Sequence, residues 1–155
     1  MSWKFLSVLV ATIAFCVCTP LMAQHEPGEA FLGIWQINAA KTSNYPQQNQ
    51  MIINLPGPDG GFVSIRATIG KDGKSSSETH PVVFDGKPHQ TDGGDPREIS
   101  YKLIDPHTIE RTQNRNGKVS VDTEQVSNDG KTLTVTQANA MRIYDKQFSV
   151  QPIAH

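Results

Sequence analysis

The chain has 155 residues, with 14 Lys or Arg against 15 Asp or Glu and a net charge of −1. Near balance, without a run of like charges, it lacks the basic footprint expected for nucleic acid or an anionic membrane surface. Cys16 and Cys18 are its two cysteines, so everything after them is without a disulfide, a thiolate nucleophile or a thiolate metal site.

Lys4 precedes an apolar run from Phe5 to Val17, and Pro20 and Leu21-Met22-Ala23 follow. That is the charged, apolar and small-residue order of a secretory signal peptide. The run is about 13 residues long, short of the roughly 20 that a helix needs to span a bilayer. Cleavage is expected after Ala23, which makes residues 1–23 a signal-peptide helix and the mature protein secreted, periplasmic or extracellular, without membrane insertion. A lipoprotein would carry a small residue before its acylated cysteine, but Cys16 follows Phe15 and Cys18 follows Val17. Residues 24–30 read as a flexible lead-in, 31–150 as one β domain and 151–155 as a tail.

From Phe31 onward the hydrophobic period is 2 and not 3.6. Val63, Ile65, Ala67 and Ile69 alternate with Ser64, Arg66 and Thr68, and Met51/Ile53/Leu55, Ile99/Tyr101/Leu103, Val119/Val121/Thr123 and Leu133/Val135/Gln137 repeat the pattern. Strands are predicted near 31–38, 50–55, 62–69, 76–84, 98–104, 107–114, 118–126, 132–138 and 141–149. Turns fall at Asp72-Gly73, Asp85-Gly86, Asn116-Gly117 and Asp129-Gly130, where glycine takes the positive φ of a hairpin cheaply. The longest irregular connections are 41–50 and 85–96.

Loop length sets which face each strand presents. At Asn116-Gly117, a two-residue loop pairs Arg115 with Lys118 and puts Ile109 and Arg111 on the face of Ser120, Asp122 and Glu124. A three-residue loop pairs Asn114 with Lys118 and puts Ile109 with Val119, Val121 and Thr123. The second is expected, because it gathers the apolar residues on one face. The same criterion at Asn128-Asp129-Gly130 sets Gln125 opposite Leu133 and Thr123 opposite Val135.

Chemistry is sparse. His25, His80, His89, His107 and His155 lack zinc-motif spacing, and Asp85, Asp92, Asp95 and Glu98 lack the order of a calcium loop. Gly-x-Ser-x-Gly, a phosphate loop and Gly-x-Gly-x-x-Gly are all missing. No metal or cofactor is expected, and nothing calls for catalysis. What remains is polarity on the inward face, where the expected registers place Arg111, Gln113, Thr123, Gln125 and Gln137 in phase with valines and leucines. Unpaired polar groups inside a fold cost roughly 1 to 3 kcal/mol each, so these residues mark either strand ends opening to solvent or the lining of a ligand cavity.

Phe31-Leu32-Gly33-Ile34-Trp35 resembles the Phe-x-Gly-x-Trp that begins the first strand of lipocalins and related calycin barrels. Extended to Asn38, Lys41, Thr42 and Ser43, it is also similar to the start of small secreted bacterial proteins of unknown function that are labelled lipocalin-like. The resemblance implies a calycin-like barrel with Gly33 and Trp35 as structural motif, Arg142 packed over the indole, and room for a small apolar or amphipathic ligand.

The expected fold is therefore all-β, one antiparallel up-and-down barrel or curled meander of eight or nine strands, with an open sandwich as the competitor. The expected function is small-molecule binding without catalysis, by Arg111, Gln113, Gln125 and Gln137. The alternatives are an interaction or assembly module of the envelope and an enzyme with its site at the barrel mouth.

Overall fold

Alternation at period 2 is realised as ten strands among residues 26–44, 49–93 and 96–151, which the computed structural model describes. The expected leader, Gln24 and His25, and residues 152–155 lie outside them. In chain order the strands are β1 (Gly33–Ile37), β2 (Asn49–Pro56), β3 (Phe62–Ile69), β4 (Ser75–Val82), β5 (His89–Gln90), β6 (Glu98–Asp105), β7 (Thr108–Arg115), β8 (Lys118–Val126), β9 (Thr132–Gln137) and β10 (Ala140–Phe148). The sequence pattern anticipates all of them but β5, whose two residues are too few to alternate.

All ladders are antiparallel, and the sheet order is β4-β3-β2-β1-β10-β9-β8-β7-β6-β5. Every ladder among the described residues joins sequence neighbours, apart from that of β1 with β10. The two ends of the sheet meet where Thr79 and Asp92 exchange both backbone hydrogen bonds, each 2.8 Å. The result is a nearly closed up-and-down barrel, and the open sandwich is set aside.

The hairpin registers differ from those expected. Asn116 at φ 51° and Gly117 at φ 80° form a two-residue loop that pairs Arg115 with Lys118 and Arg111 with Asp122. Positive φ at both central residues is the type I′ turn that Asn-Gly favours, because its twist matches that of the strands. At the next turn Val126 pairs with Leu133 and Gln125 with Thr134, again one residue from expectation. Val119 and Val121 consequently face outward, 65% and 51% exposed, while Asp122 and Glu124 are buried.

The same inversion holds on β2 and β3, where Gln50, Ile52, Asn54, Phe62, Ser64 and Arg66 are buried. The alternating apolar sets Met51/Ile53/Leu55 and Val63/Ile65/Ala67/Ile69 lie on the outer face, paired with one another across the ladder. On β6 and β9 the expected faces, Ile99/Tyr101 and Leu133/Val135, do turn inward. An antiparallel barrel needs one set of alternate residues inside, but that set need not be the more apolar one.

The core fills one end. Phe31, Leu32, Phe62, Val82, Ile109, Val126 and Leu133 are buried there with Trp35, and the Phe31 and Phe62 rings stack at 6.1 Å. Ahead of β1, Glu29–Phe31 form a 3-10 turn, and Phe31 is fully buried in the core.

Candidate functional site

At the other end, the mouth is ringed by the β3–β4, β7–β8 and β9–β10 turns. A cavity of about 1010 Å³ opens there, at the upper limit of ordinary ligand pockets. Six basic side chains, Arg66, Arg97, Arg111, Arg115, Lys118 and Arg142, line it against one acid, Glu78.

Its floor is a layer of ion pairs that separates the cavity from the apolar end. Arg66 Nη2 donates to Glu124 Oε1 at 2.8 Å, Arg111 Nη1 lies 3.1 Å from the same oxygen, and Arg111 Nη2 is bonded to Asp122 Oδ2. Gln113 Nε2 donates to that oxygen at 3.0 Å. Burial disfavours charge on Arg111, but Glu124, Tyr101 and Asp122 raise its pKa above the ordinary guanidinium value. Burial pushes the Glu124 carboxyl up, and Arg111 and Arg66 more than reverse this, holding it below the usual carboxylate range. Glu78, bonded to Arg97, is likewise held low against its own burial.

Arg142, on β10, differs from its neighbours. Its Nη2 is 3.5 Å from Asp122 Oδ2, too long for a hydrogen bond, and its Nε and Nη2 have no hydrogen-bond partner among the described residues. Burial, then Tyr144 acting in the opposite sense, then Arg66 and Arg111, leave its pKa below the ordinary guanidinium value. Even so, a guanidinium stays charged. Two residues along, the Tyr144 hydroxyl donates to Gln50 Oε1. His80 and Tyr101 complete the layer with a 2.7 Å hydrogen bond. Burial first, then Arg66 and Arg111, press the His80 pKa down to about 3, so the ring is neutral at pH 7.

Of the residues expected to line a cavity, Arg111, Gln113 and Gln137 do so. Gln125 does not: it points to solvent from the outer face of β8, because the two-residue loop reverses the expected parity. Residues missed by the sequence reading are Arg66, Asp122 and Glu124, which alternate with residues expected inside: Ile65 and Ala67 beside Arg66, Val121 and Thr123 beside Asp122, and Thr123 and Gln125 beside Glu124.

The opening motif is structural. Trp35 is fully buried and its Nε1 donates to the Phe31 carbonyl at 2.9 Å. A Cβ on Gly33, at φ 130°, would stand 2.4 Å from the Phe148 carbonyl oxygen. Asn38 Nδ2 donates to Asp145 Oδ2 at 2.6 Å, and Lys41 Nζ is 3.4 Å from Asp145 Oδ1. These bonds pin the end of β1 to β10. The cation over the indole is Lys146, 4.4 Å from the ring centroid, and not Arg142. The β1–β10 register pairs Trp35 with Lys146 and carries Arg142 toward the mouth.

No protein-family model and no curated protein matches the chain. Solved structures do. A variant of the fluorescent protein UnaG is 14% identical with a TM-score of 0.54, over 77% of this chain and 97% of that one. A Schistosoma mansoni fatty acid binding protein in complex with arachidonic acid is 16% identical with a TM-score of 0.53, over 76% of this chain and 96% of that one. The likeness carries the fold alone, a ten-stranded antiparallel barrel.

Proposed function

We propose that the barrel binds one small organic acid, which enters at the mouth and sets its carboxylate on the arginine layer at Arg142. The observation that carries this reading is the imbalance of charge around the cavity, six basic side chains against Glu78 on the wall and Asp122 and Glu124 in the floor, with hydrogen-bonding positions of Arg142 unfilled. Buried ion pairs are poor devices for stability, since desolvation offsets most of their attraction. An arginine layer that ends in an under-bonded guanidinium is instead suited to receiving an anion. The solved barrel in complex with a fatty acid supports a carboxylic acid as occupant, and the leader pattern supports a place outside the cytoplasm. No catalytic step is assigned.

The test is the melting temperature of the full-length chain with a panel of alkyl, aromatic and hydroxylated carboxylates, each beside its neutral amide or alcohol. A bound acid must raise the melting temperature, the neutral counterparts should raise it less, and Arg142→Gln should weaken binding by about tenfold or more. No shift with any acid, or equal shifts with the neutral counterparts, would remove the proposal.

The outward apolar residues on β2 and β3 favour a second reading, an interaction module that docks through this face. Sedimentation equilibrium showing a monomer at all concentrations, with no partner recovered from the envelope, would count against it.

A further inference from the structure

Above the arginine layer, the cavity wall is unlike an oil pocket. Apart from Ala140 and the outward Val119 at the rim, every uncharged side chain on it carries a hydroxyl or a carboxamide, Thr68, Ser76, Ser120, Gln50, Gln113 and Gln137 among them. Several are already fixed by the wall itself. Gln50 Nε2 donates to Thr68 Oγ1 at 2.9 Å, and Gln137 Nε2 to Ser120 Oγ at 3.3 Å. Gln113 Nε2 is committed to Asp122. With their nitrogens held in place, Gln113 and Gln137 keep their carbonyl oxygens as fixed acceptors, and the serines keep donor and acceptor capacity.

An alkyl chain laid along this wall would strip water from those groups and return no hydrogen bond. A ligand dense in hydroxyls would replace the water bond for bond. On β8 the two-residue turn after β7 adds to this polarity. It sends Val121 outward and leaves Ser120, Asp122 and Glu124 to face inward.

We infer that the occupant is a hydroxyl-rich organic acid of the sugar-acid type, and not an alkyl acid. This rests on the anion-binding reading above and specifies the rest of the molecule. The volume of about 1010 Å³ would admit an acid larger than a single sugar ring, together with bridging waters.

Titration calorimetry of the full-length chain with lactobionate, its neutral relative lactose, decanoate and palmitate tests the inference. The expected result is lactobionate bound at least tenfold more tightly than either alkyl acid and more tightly than lactose. Gln137→Leu should weaken lactobionate at least fivefold and tighten decanoate. If that variant does not fold, Ser120→Ala should weaken lactobionate alone. Decanoate or palmitate bound as tightly as lactobionate would overturn the hydroxyl-rich class and leave anion binding standing. Lactose bound as tightly as lactobionate, or no acid bound, would overturn both. Affinities unchanged in the wall variants would overturn the role of the wall.

Discussion

His80 is the residue whose ionisation governs stability as the solution becomes acid. Its pKa falls from an ordinary 6.5 to about 3 in the fold, so between those values the unfolded chain holds a proton that the folded one refuses. Stability is complete above pH 6.5 and declines by up to about 1.4 kcal/mol per pH unit as the pH falls through that window. Urea unfolding at pH 5 should therefore give a stability about 2 kcal/mol below that at pH 7, and His80→Asn should remove most of the difference. Glu124 and Glu78, held below the ordinary glutamate value of 4.5, add to the loss only below that pH. An equal pH slope in His80→Asn would refute the assignment. At the opening motif, Gly33→Ala drives a methyl group into the Phe148 carbonyl and strains a positive φ. It should lower stability by roughly 2 to 6 kcal/mol, whereas Lys146→Met, which removes the cation over Trp35, should change it by about 1 kcal/mol or less. Denaturation midpoints of the two variants check both statements.

At the scale of elements, the β7–β8–β9 registers separate residues of equal hydrophobicity into those that matter and those that do not. Val121→Thr alters an exposed outer position and should stay within about 0.5 kcal/mol of the parent. Leu133→Ala opens the packed end and should lose roughly 2 to 5 kcal/mol. A large loss at Val121, measured by urea unfolding, would contradict the two-residue turn. Strand positions and the all-β class were legible because alternation survives whichever side faces in. The face was not legible on β2, β3 and β8, where inward was equated with apolar. That equation fails when the interior carries Arg66 on one strand and Glu124 on another, 58 positions away, since neither reveals its partner in sequence. The better signal was local: Asn116-Gly117 favours a type I′ loop, and that loop sets Arg111 opposite Asp122, an opposite-charge cross-strand pair. The cavity was half legible for the same reason. Arg111 and Gln113 sit on β7 and Gln137 on β9, and they reach it whichever way β8 is turned, but Gln125 on β8 does not.

For the molecule as a whole, the sheet order holds a consequence for how the chain can be re-threaded. Among the described residues one ladder, β1 with β10, joins strands remote in sequence, and the sheet's two ends meet at Thr79 and Asp92 through an isolated bridge. A circular permutant that begins at β5, runs through β10, crosses a flexible linker to β1 and stops at β4 would pair every strand with its predecessor. The fold would be unchanged while the mean sequence separation of its contacts fell, and folding rates rise as that separation falls. Stopped-flow refolding should find the permutant faster than the parent at similar stability. A slower permutant would mean that the β1–β10 ladder, formed across the full length of the natural chain, is not what limits the rate.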